Sequence, residues 1–460
     1  MAGALTAAIA AAFSGGAAAA TDDYFEYTTL LLPGSGTNGA QNNTFLDGST
    51  NNFTITRNGN TTQGTFSPFS QTGWGNYFSG SSQYLSVADN AALELGSGDF
   101  CIEGWAYLTA NSGGGIAFAA KNGGSFASWQ IQANASNWLY YLSSNGSTWN
   151  VASGPTMGAA SVNTWTHIAL VRSSGVITPY INGVAGTTTT SSATIFDNAR
   201  PLTIGAVEGS AGSFSQYLTG YVSNFRVVVG SPVYTAAFTP PTAPLTAITN
   251  TQLLTCQSNR FIDNSTNNFT ITVNGNTSVV AFSPFNPTAS WSAATNGGSG
   301  YFDGSGDYLN FTDSANNLDL GGVQASMDVW FYRTSSGSDN DDIIIKRGPG
   351  AWSATDGIEY IVRLTGSTIS IYYNTGGSFA IWSTGITYIP FQWNHLCVAT
   401  NTSNNISVFL NGTTKATSTF SIAKPTTRTT VNIGVDSAAD ANYFTGYMSG
   451  MRFITGANAF

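Results

Sequence analysis

Few residues in this chain have the chemistry for catalysis. Its two histidines, His167 and His395, each follow a tryptophan by two positions, in Trp165-Thr-His167 and Trp393-Asn-His395. With the two-residue period of a strand, each shares a face with its Trp and reads as a hydrogen-bonded member of a sheet, and no serine is placed as a nucleophilic partner. Glycoside hydrolysis takes two carboxyl groups flanking one bond. Glu103 beside Trp105 and Asp328 beside Trp330 stand alone on their strands. The denser acids, Asp339, Asp341 and Asp342, and Asp356 with Glu359, suit a turn or a solvated loop. Cys101, Cys256 and Cys397 make no CxxC or Cys/His metal spacing and no disulfide framework; Cys101 and Cys397 lie in apolar strand patterns, as small buried thiols do. No catalytic residue is assigned and no enzymatic activity is expected.

The aromatic residues offer a different chemistry, stacking on the apolar C–H faces of sugars while nearby Asn, Ser and Thr satisfy hydroxyls. In Asn137-Trp-Leu-Tyr-Tyr-Leu142, Trp138 and Tyr140 share one strand face, and Leu139 and Tyr141 the other. With the Leu139/Tyr141 face taken as core, Trp138 and Tyr140 look outward about 7 Å apart, a spacing suited to sugar rings. Trp129 and Trp149 sit in neighbouring positions and extend that surface. A related stretch later in the chain matches the two faces with Ser370/Tyr372 and Ile371/Tyr373, so it lacks the Trp. The expected saccharide site is therefore Trp138, Tyr140, Trp129 and Trp149. The competing reading has the same aromatics covering an inter-domain or inter-subunit contact.

The elements that must position these residues are written twice. Residues 165–183 and 393–412 each open with Trp-x-His, alternate apolar and polar, turn, alternate again and close on Asn-Gly, as a β-hairpin does. Phe45-Leu46-Asp47 answers Phe261-Ile262-Asp263, each followed after one intervening residue by Ser-Thr-Asn-Asn-Phe-Thr-Ile-Thr, and a Gly-Tyr-x-Ser-x-x-Arg strand recurs at 220–226 and 446–452. Equivalent residues such as Trp105 and Trp330 lie about 225 positions apart, the length of a whole sandwich domain. With 13% aromatic and only 8% charged residues, this predicts an all-β protein of two tandem jelly-roll β-sandwiches. The expected division is an Ala-rich anchoring segment at 1–27, a first sandwich at 28–246 and a second at 247–460, joined by a semi-rigid Pro-rich connector at 238–250. Trp105, Trp165, Trp330 and Trp393 are expected to be buried in equivalent places. Leu5, Ile9 and Phe13 fall on one face of a short helix that is too rich in Ala, Thr, Ser and Gly for a membrane span. Aligning the ends of the copies sets 226–234 against 452–460, so an inter-subunit contact over a strand edge, or local disorder, is expected near Phe460. A net charge of -9 with 14 Lys and Arg excludes nucleic acid as a partner.

The repeated hairpin, Trp-x-His-apolar-Ala followed by Tyr-apolar-Asn-Gly in its first copy, resembles that of the laminin G-like form of the concanavalin A-like lectin/glucanase superfamily. The superfamily's β-glucanases carry their activity in a Glu-x-Asp-x-x-Glu type of strand, which Glu103 and Asp328 do not reproduce. Some laminin G-like relatives bind calcium, which would draw on Asp47, Asp89 and Asp99, or on Asp263, Asp303, Asp307 and Asp313; Asx capping accounts for the same residues, so a metal site stays open and calcium is the one cofactor considered. The opening stretch, with Leu-Leu-Leu-Pro-Gly-Ser-Gly-Thr-Asn-Gly and Phe-Ser-Pro-Phe, is similar to that of laminin G-like proteins of marine tailed phages. This resemblance implies a virion surface protein, whether tail fibre, head fibre or capsid decoration. It would be held to other virion proteins through its N-terminal segment, form a homo-oligomer, and bind host-surface polysaccharide or lipopolysaccharide. The alternatives are a non-binding structural or decoration protein and, weakened by its lack of paired carboxylates, a polysaccharide-degrading enzyme.

Overall fold

Runs such as Phe100–Leu108 are nearly continuously apolar over a strand's length and carry no helical stripe, so they fold as strands that bury residues on both faces. The computed structural model describes residues 25–32, 45–49, 51–58, 62–64, 73–111, 113–123, 127–281, 285, 298–347, 357–424, 429–436 and 442–457; strand counts refer to these, and Leu5, Ile9, Phe13 and Phe460 lie outside them. Among the described residues the helical content is two 3₁₀ turns, Phe25–Tyr27 and Ala91–Leu93, and no helix is long and apolar enough to cross a membrane.

Two compact units form, one contiguous, Thr72–Thr288, and one from two stretches, Met1–Gln71 with Ala289–Phe460. In the contiguous unit a nine-stranded antiparallel sheet has the order Val184–Ala185, Val176–Ile181, Trp165–Ser173, Phe100–Leu108, Thr219–Val229, Gly75–Ser79, Ser278–Val280, with Thr189–Thr190 and Thr251–Thr255 paired alongside. Facing it is a seven-stranded sheet, Ala152–Ala159, Asn137–Leu142, Trp129–Ala133, Ile116–Lys121, Leu202–Ile204, Tyr84–Val87, Thr272–Asn274. Phe118 meets Trp138 and Phe225 edge to face between the sheets, and Gly104 makes room for it, since a Cβ there would stand 3.0 Å from the Phe118 ring. The two-segment unit has the same architecture, with Phe331, Tyr360, Ile369, Ile371, Val398 and Val408 in its core.

The expected division at 246/247 is not the one the strands make. Thr251–Thr255 pairs with Thr219–Val229, and Thr272–Asn274 with Tyr84–Val87, so the stretch that opens the second repeat closes the first sandwich. Reciprocally, Thr28–Leu32 pairs with Thr445–Thr455 and Thr56–Asn58 with Tyr308–Thr312. The registers are equivalent, Leu254 opposite Arg226 and Leu31 opposite Arg452. A strand joins the edge whose hydrogen bonds it satisfies, wherever that edge lies in sequence; internal similarity marks equivalent residues but not which copy they pair with.

One buried carboxylate pins each opening stretch. Asp263 accepts from the backbone N–H groups of Leu254 (3.0 Å), Ser265 (2.8 Å) and Phe269 (2.9 Å) and from the Ser265 hydroxyl (2.8 Å). Asp47 accepts in the same way from the amides of Leu31, Ser49 and Phe53 and from the Ser49 hydroxyl. The Pro-rich stretch is also no free connector. Tyr234 and Phe238 stack 3.6 Å apart over the outer side of the nine-stranded sheet, edge-on to His167 and Tyr180, and the Leu245 N–H donates to Asn224. Trp105 and Trp393 are buried, whereas their counterparts Trp330 and Trp165 are half-buried.

Candidate functional site

The predicted platform faces inward. Trp129, Trp138 and Tyr140 are each 0% exposed, and only Trp149 reaches the surface. The Tyr140 hydroxyl donates to the Thr187 carbonyl at 3.0 Å and lies 2.8 Å from Thr189 Oγ1, with burial pushing the phenol up. The cause is a parity set by sheet packing: the three large rings fill the space against the other sheet, and a one-residue offset exchanges every inward side chain for its outward neighbour. Strand registers locate that offset. Trp129 lies opposite Lys121 and Tyr360 opposite Lys346, so Trp138 and Tyr140 correspond to Ile369 and Ile371 rather than to Ser370 and Tyr372.

The outer side of the same sheet carries a different set. Gln132, Leu139, Tyr141 and Trp149 are half-buried there, with the Tyr141 and Trp149 rings 5.4 Å apart. Gly154, at φ 77°, lets Tyr141 lie across the neighbouring strand, because a Cβ at that position would come within 2.8 Å of the phenol oxygen. Beside the rings runs a chain of amides. Asn122 Nδ2 donates to Gln130 Oε1 at 3.4 Å, Gln130 Nε2 donates to Gln132 and, at 2.7 Å, to Gln216, and Gln132 Nε2 donates to the Tyr141 hydroxyl at 3.2 Å. Amides keep both donors and acceptors, as a polyhydroxylated ligand requires, and the ring faces supply the apolar contact. On the adjoining strand Ser153 and Thr156 are exposed, and Thr156 lines an open cleft of about 480 Å3 with Met157, Gly158, Ile181 and Val184.

In the two-segment unit the corresponding face is ionic. Arg363 stands where Gln132 does, gripped by Asp342 at 2.5 and 2.9 Å and lying over the Tyr372 ring at 4.6 Å. Burial pushes the Asp342 carboxyl up to about 7 in spite of Arg363. Asp341 pairs likewise with Arg333, so Asp341, Asp342 and the buried Glu359 are interior rather than turn residues, whereas Asp339 is exposed as expected and Asp356 lies outside the described residues.

The lone acids are interior too. Glu103 accepts from Arg226 at 2.6 and 3.0 Å and from the Tyr234 hydroxyl at 2.8 Å, with His167 Nε2 3.3 Å away. Burial pushes its carboxyl up, but His167 and Arg226 outweigh that and hold it below the ordinary range. Asp328 has His395 and Arg452 at 3.3 Å each. Burial drives the Cys101, Cys256 and Cys397 thiols up, away from the reactive thiolate. The aspartates considered for calcium serve other partners. Asp47 and Asp263 hold amides, Asp99 the Ser174 N–H, Asp303 the Ser305 N–H and Asp307 the Asp303 N–H, while Asp89 pairs with Lys121 and Asp313 with Lys346. Among the described residues no three His, Cys, Asp or Glu side chains converge as they would around a metal ion.

Two antiparallel sheets packed face to face, with interior ion pairs and a polar, aromatic outer surface on the smaller sheet, define a concanavalin A-type sandwich, present twice. The laminin G-like family model, described as the Concanavalin A-like lectin/glucanases superfamily, matches residues 79–231 and 303–458, more than half of the chain, and the chain belongs to that family. Among solved structures it is similar to domains LG4-5 of the mouse laminin alpha1 chain, at 11% identity over 84% of this chain and 90% of that one (TM-score 0.28). It is also similar to domain 4 of an extracellular arabinanase from Geobacillus stearothermophilus in complex with arabinotriose, at 17% identity over 38% and 78% (TM-score 0.27). A third is the sialidase CBM40 of Ruminococcus gnavus bound to alpha2,3 sialyllactose, at 14% identity over 31% and 79% (TM-score 0.27). No curated protein matches the chain.

Proposed function

We propose that this protein is a non-enzymatic glycan-binding protein whose site is the outer face of the seven-stranded sheet in the unit 72–288. Tyr141 and Trp149 stack on sugar rings, and Gln132, Gln216 and Ser153 hydrogen-bond the hydroxyls, with the buried Gln130 holding the two glutamines in place. The observation that carries this reading is the pair of half-buried rings 5.4 Å apart beside a continuous chain of amides. The amides are neutral, Lys121 is buried against Asp89 and Asp197, and Arg200 is engaged with Glu208, so the favoured ligand is an uncharged glycan segment. The two-segment unit, with Arg363 tied to Asp342, binds weakly or not at all. What supports a virion setting is the sequence of the opening stretch. On that basis the chain is displayed on a tailed-phage virion, is attached to other virion proteins through its N-terminal segment, forms a homo-oligomer, and meets host-surface polysaccharide or lipopolysaccharide.

The test is a glycan array on the full chain followed by titration of the best ligand against Tyr141→Ala and Trp149→Ala. Each ring is worth about 1 kcal/mol or somewhat more, so each variant should bind roughly tenfold more weakly with its melting unchanged. Parent-like affinity in both variants would remove the site, and an array with no bound glycan would leave a structural spacer as the function.

A further inference from the structure

Each sandwich is closed by three short strands from an opening stretch, and these strands clip the edges of both of its sheets. In the contiguous unit, Thr251–Thr255, Thr272–Asn274 and Ser278–Val280 pair with Thr219–Val229, Tyr84–Val87 and Gly75–Ser79. In the two-segment unit, Thr28–Leu32, Thr56–Asn58 and Thr62–Gly64 pair with Thr445–Thr455, Tyr308–Thr312 and Ser299–Asp303. The first closing stretch directly follows its sandwich in the chain. The second does not, since the whole of the first sandwich lies between residue 64 and the strands it closes. The attachment is nonetheless a full one. Leu30, Leu32 and Phe45 join the core of the unit, 0%, 7% and 6% exposed, and Gly300 leaves the space Phe45 fills, a Cβ there lying 2.9 Å from the ring. Asp47 folds the stretch on itself through its own amides, so it arrives as a preorganised clip that attaches by main-chain pairings and by side-chain bonds from Thr29 to the Phe453 carbonyl, from Asn58 to Asn310 and from Asn317 to Asn51.

We infer that residues 28–64 are an exchangeable closing module and that the partner is a second copy of this chain, whose second sandwich the module completes by strand addition. The linkage is head to tail. The module of one chain closes the second sandwich of the preceding one, so every sandwich along the assembly is closed by the stretch that follows it, as 72–288 already is within one chain. Self-closed and linked chains share the same contacts. The balance is therefore set by the effective concentration of the tethered module, on the order of millimolar, against the concentration of free chains. Crowding chains on an assembly surface shifts it toward linkage.

Two full-length variants test this. The acceptor carries Leu30→Asp and Asp47→Ala, which disable its own module; the donor carries Val329→Asp and Val398→Asp, which break the core of its second sandwich and release its module. Mixed, they should form a 1:1 complex by native mass spectrometry while each alone is monomeric, and adding Asp47→Ala to the donor should weaken the complex at least tenfold. Two monomers after mixing, or a complex indifferent to Asp47→Ala, overturns the inference. A chain altered only at Thr29 gives a second readout that does not depend on the destabilised variants. Heavy- and light-isotope chains carrying a photo-crosslinker in place of Thr29, whose hydroxyl reaches the Phe453 carbonyl, are unfolded and refolded together. Crosslinks from one isotope to the Thr445–Thr455 strand of the other should grow with concentration; crosslinks confined to single chains at every concentration overturn it.

Discussion

Asp47 and Asp263 allow the crossed strand pairing to be read from stability alone. Asp263 is 4% exposed and accepts three backbone amides and one hydroxyl, and Asp47 repeats the arrangement. Hydrogen bonds to a charged acceptor contribute about 1.5 to 3 kcal/mol each and are not additive, so removing the carboxylate and stranding its donors should cost on the order of 3 to 5 kcal/mol. For a unit of this size that lowers melting by roughly 10 °C. The discriminating feature is which unit melts. Asp263→Ala should lower the transition of 72–288 and leave the other, whereas Asp47→Ala should lower the transition of the unit that contains residues 289–460. Calorimetry separates the transitions, and hydrogen exchange assigns them. Faster exchange in Phe100–Leu108 and Trp165–Ser173 after Asp47→Ala, with Ala325–Arg333 unchanged, would refute the pairing.

Three further outcomes follow from interior charges. Lys346 is fully buried among Asp313 at 2.9 Å, Asp319 and Glu359 at 3.9 Å, so Lys346→Met should destabilise its unit by about 3 to 5 kcal/mol at neutral pH. Urea unfolding should show that loss shrinking in acid, as the stranded carboxylates are neutralised. Burial raises Asp342 to about 7 and Asp341 to about 6 from a usual 3.8, so between those limits the folded state keeps protons the unfolded state has released. Stability of that unit should therefore fall as pH rises from about 4 to 7, by on the order of a few kcal/mol, and Asp342→Asn should flatten the profile. Tyr234→Phe removes one of the donors to Glu103 and should cost about 1 to 2 kcal/mol in the unit 72–288, seen as a lower urea midpoint.

The doubled sandwich was legible because its signals are local: alternation, Asn-Gly turns and repeated motifs all survive in a linear string. The exchange of opening stretches was not, since Leu31 and Leu254 look alike and nothing local says which arginine strand each will meet. The site failed on a single parity. Asn137–Leu142 is amphipathic in neither sense, with large rings on both faces, so the strand by itself does not choose. Its neighbour does. Trp129-Gln-Ile-Gln-Ala133 sets amides opposite apolar residues, and pairing places Gln130 across from Tyr141 and Ile131 across from Tyr140. Reading the two strands together, with Ile369 and Ile371 in the second copy, would have turned Tyr141 outward. The Glu103, His167 and Arg226 cluster was half visible: the Trp-x-His spacing put His167 in the sheet, but its partners come from strands remote in sequence.

The most direct measurement pairs affinity with stability in variants of adjacent residues on one strand and its loop. Tyr141→Ala and Trp149→Ala should lose roughly tenfold in glycan affinity with little change in urea midpoint. Trp138→Ala, whose ring fills the interior beside Phe118, should cost about 3 to 5 kcal/mol in stability, while whatever stays folded binds like the parent. The reverse pattern, binding lost with Trp138 and kept without Tyr141 and Trp149, would contradict the outer-face site.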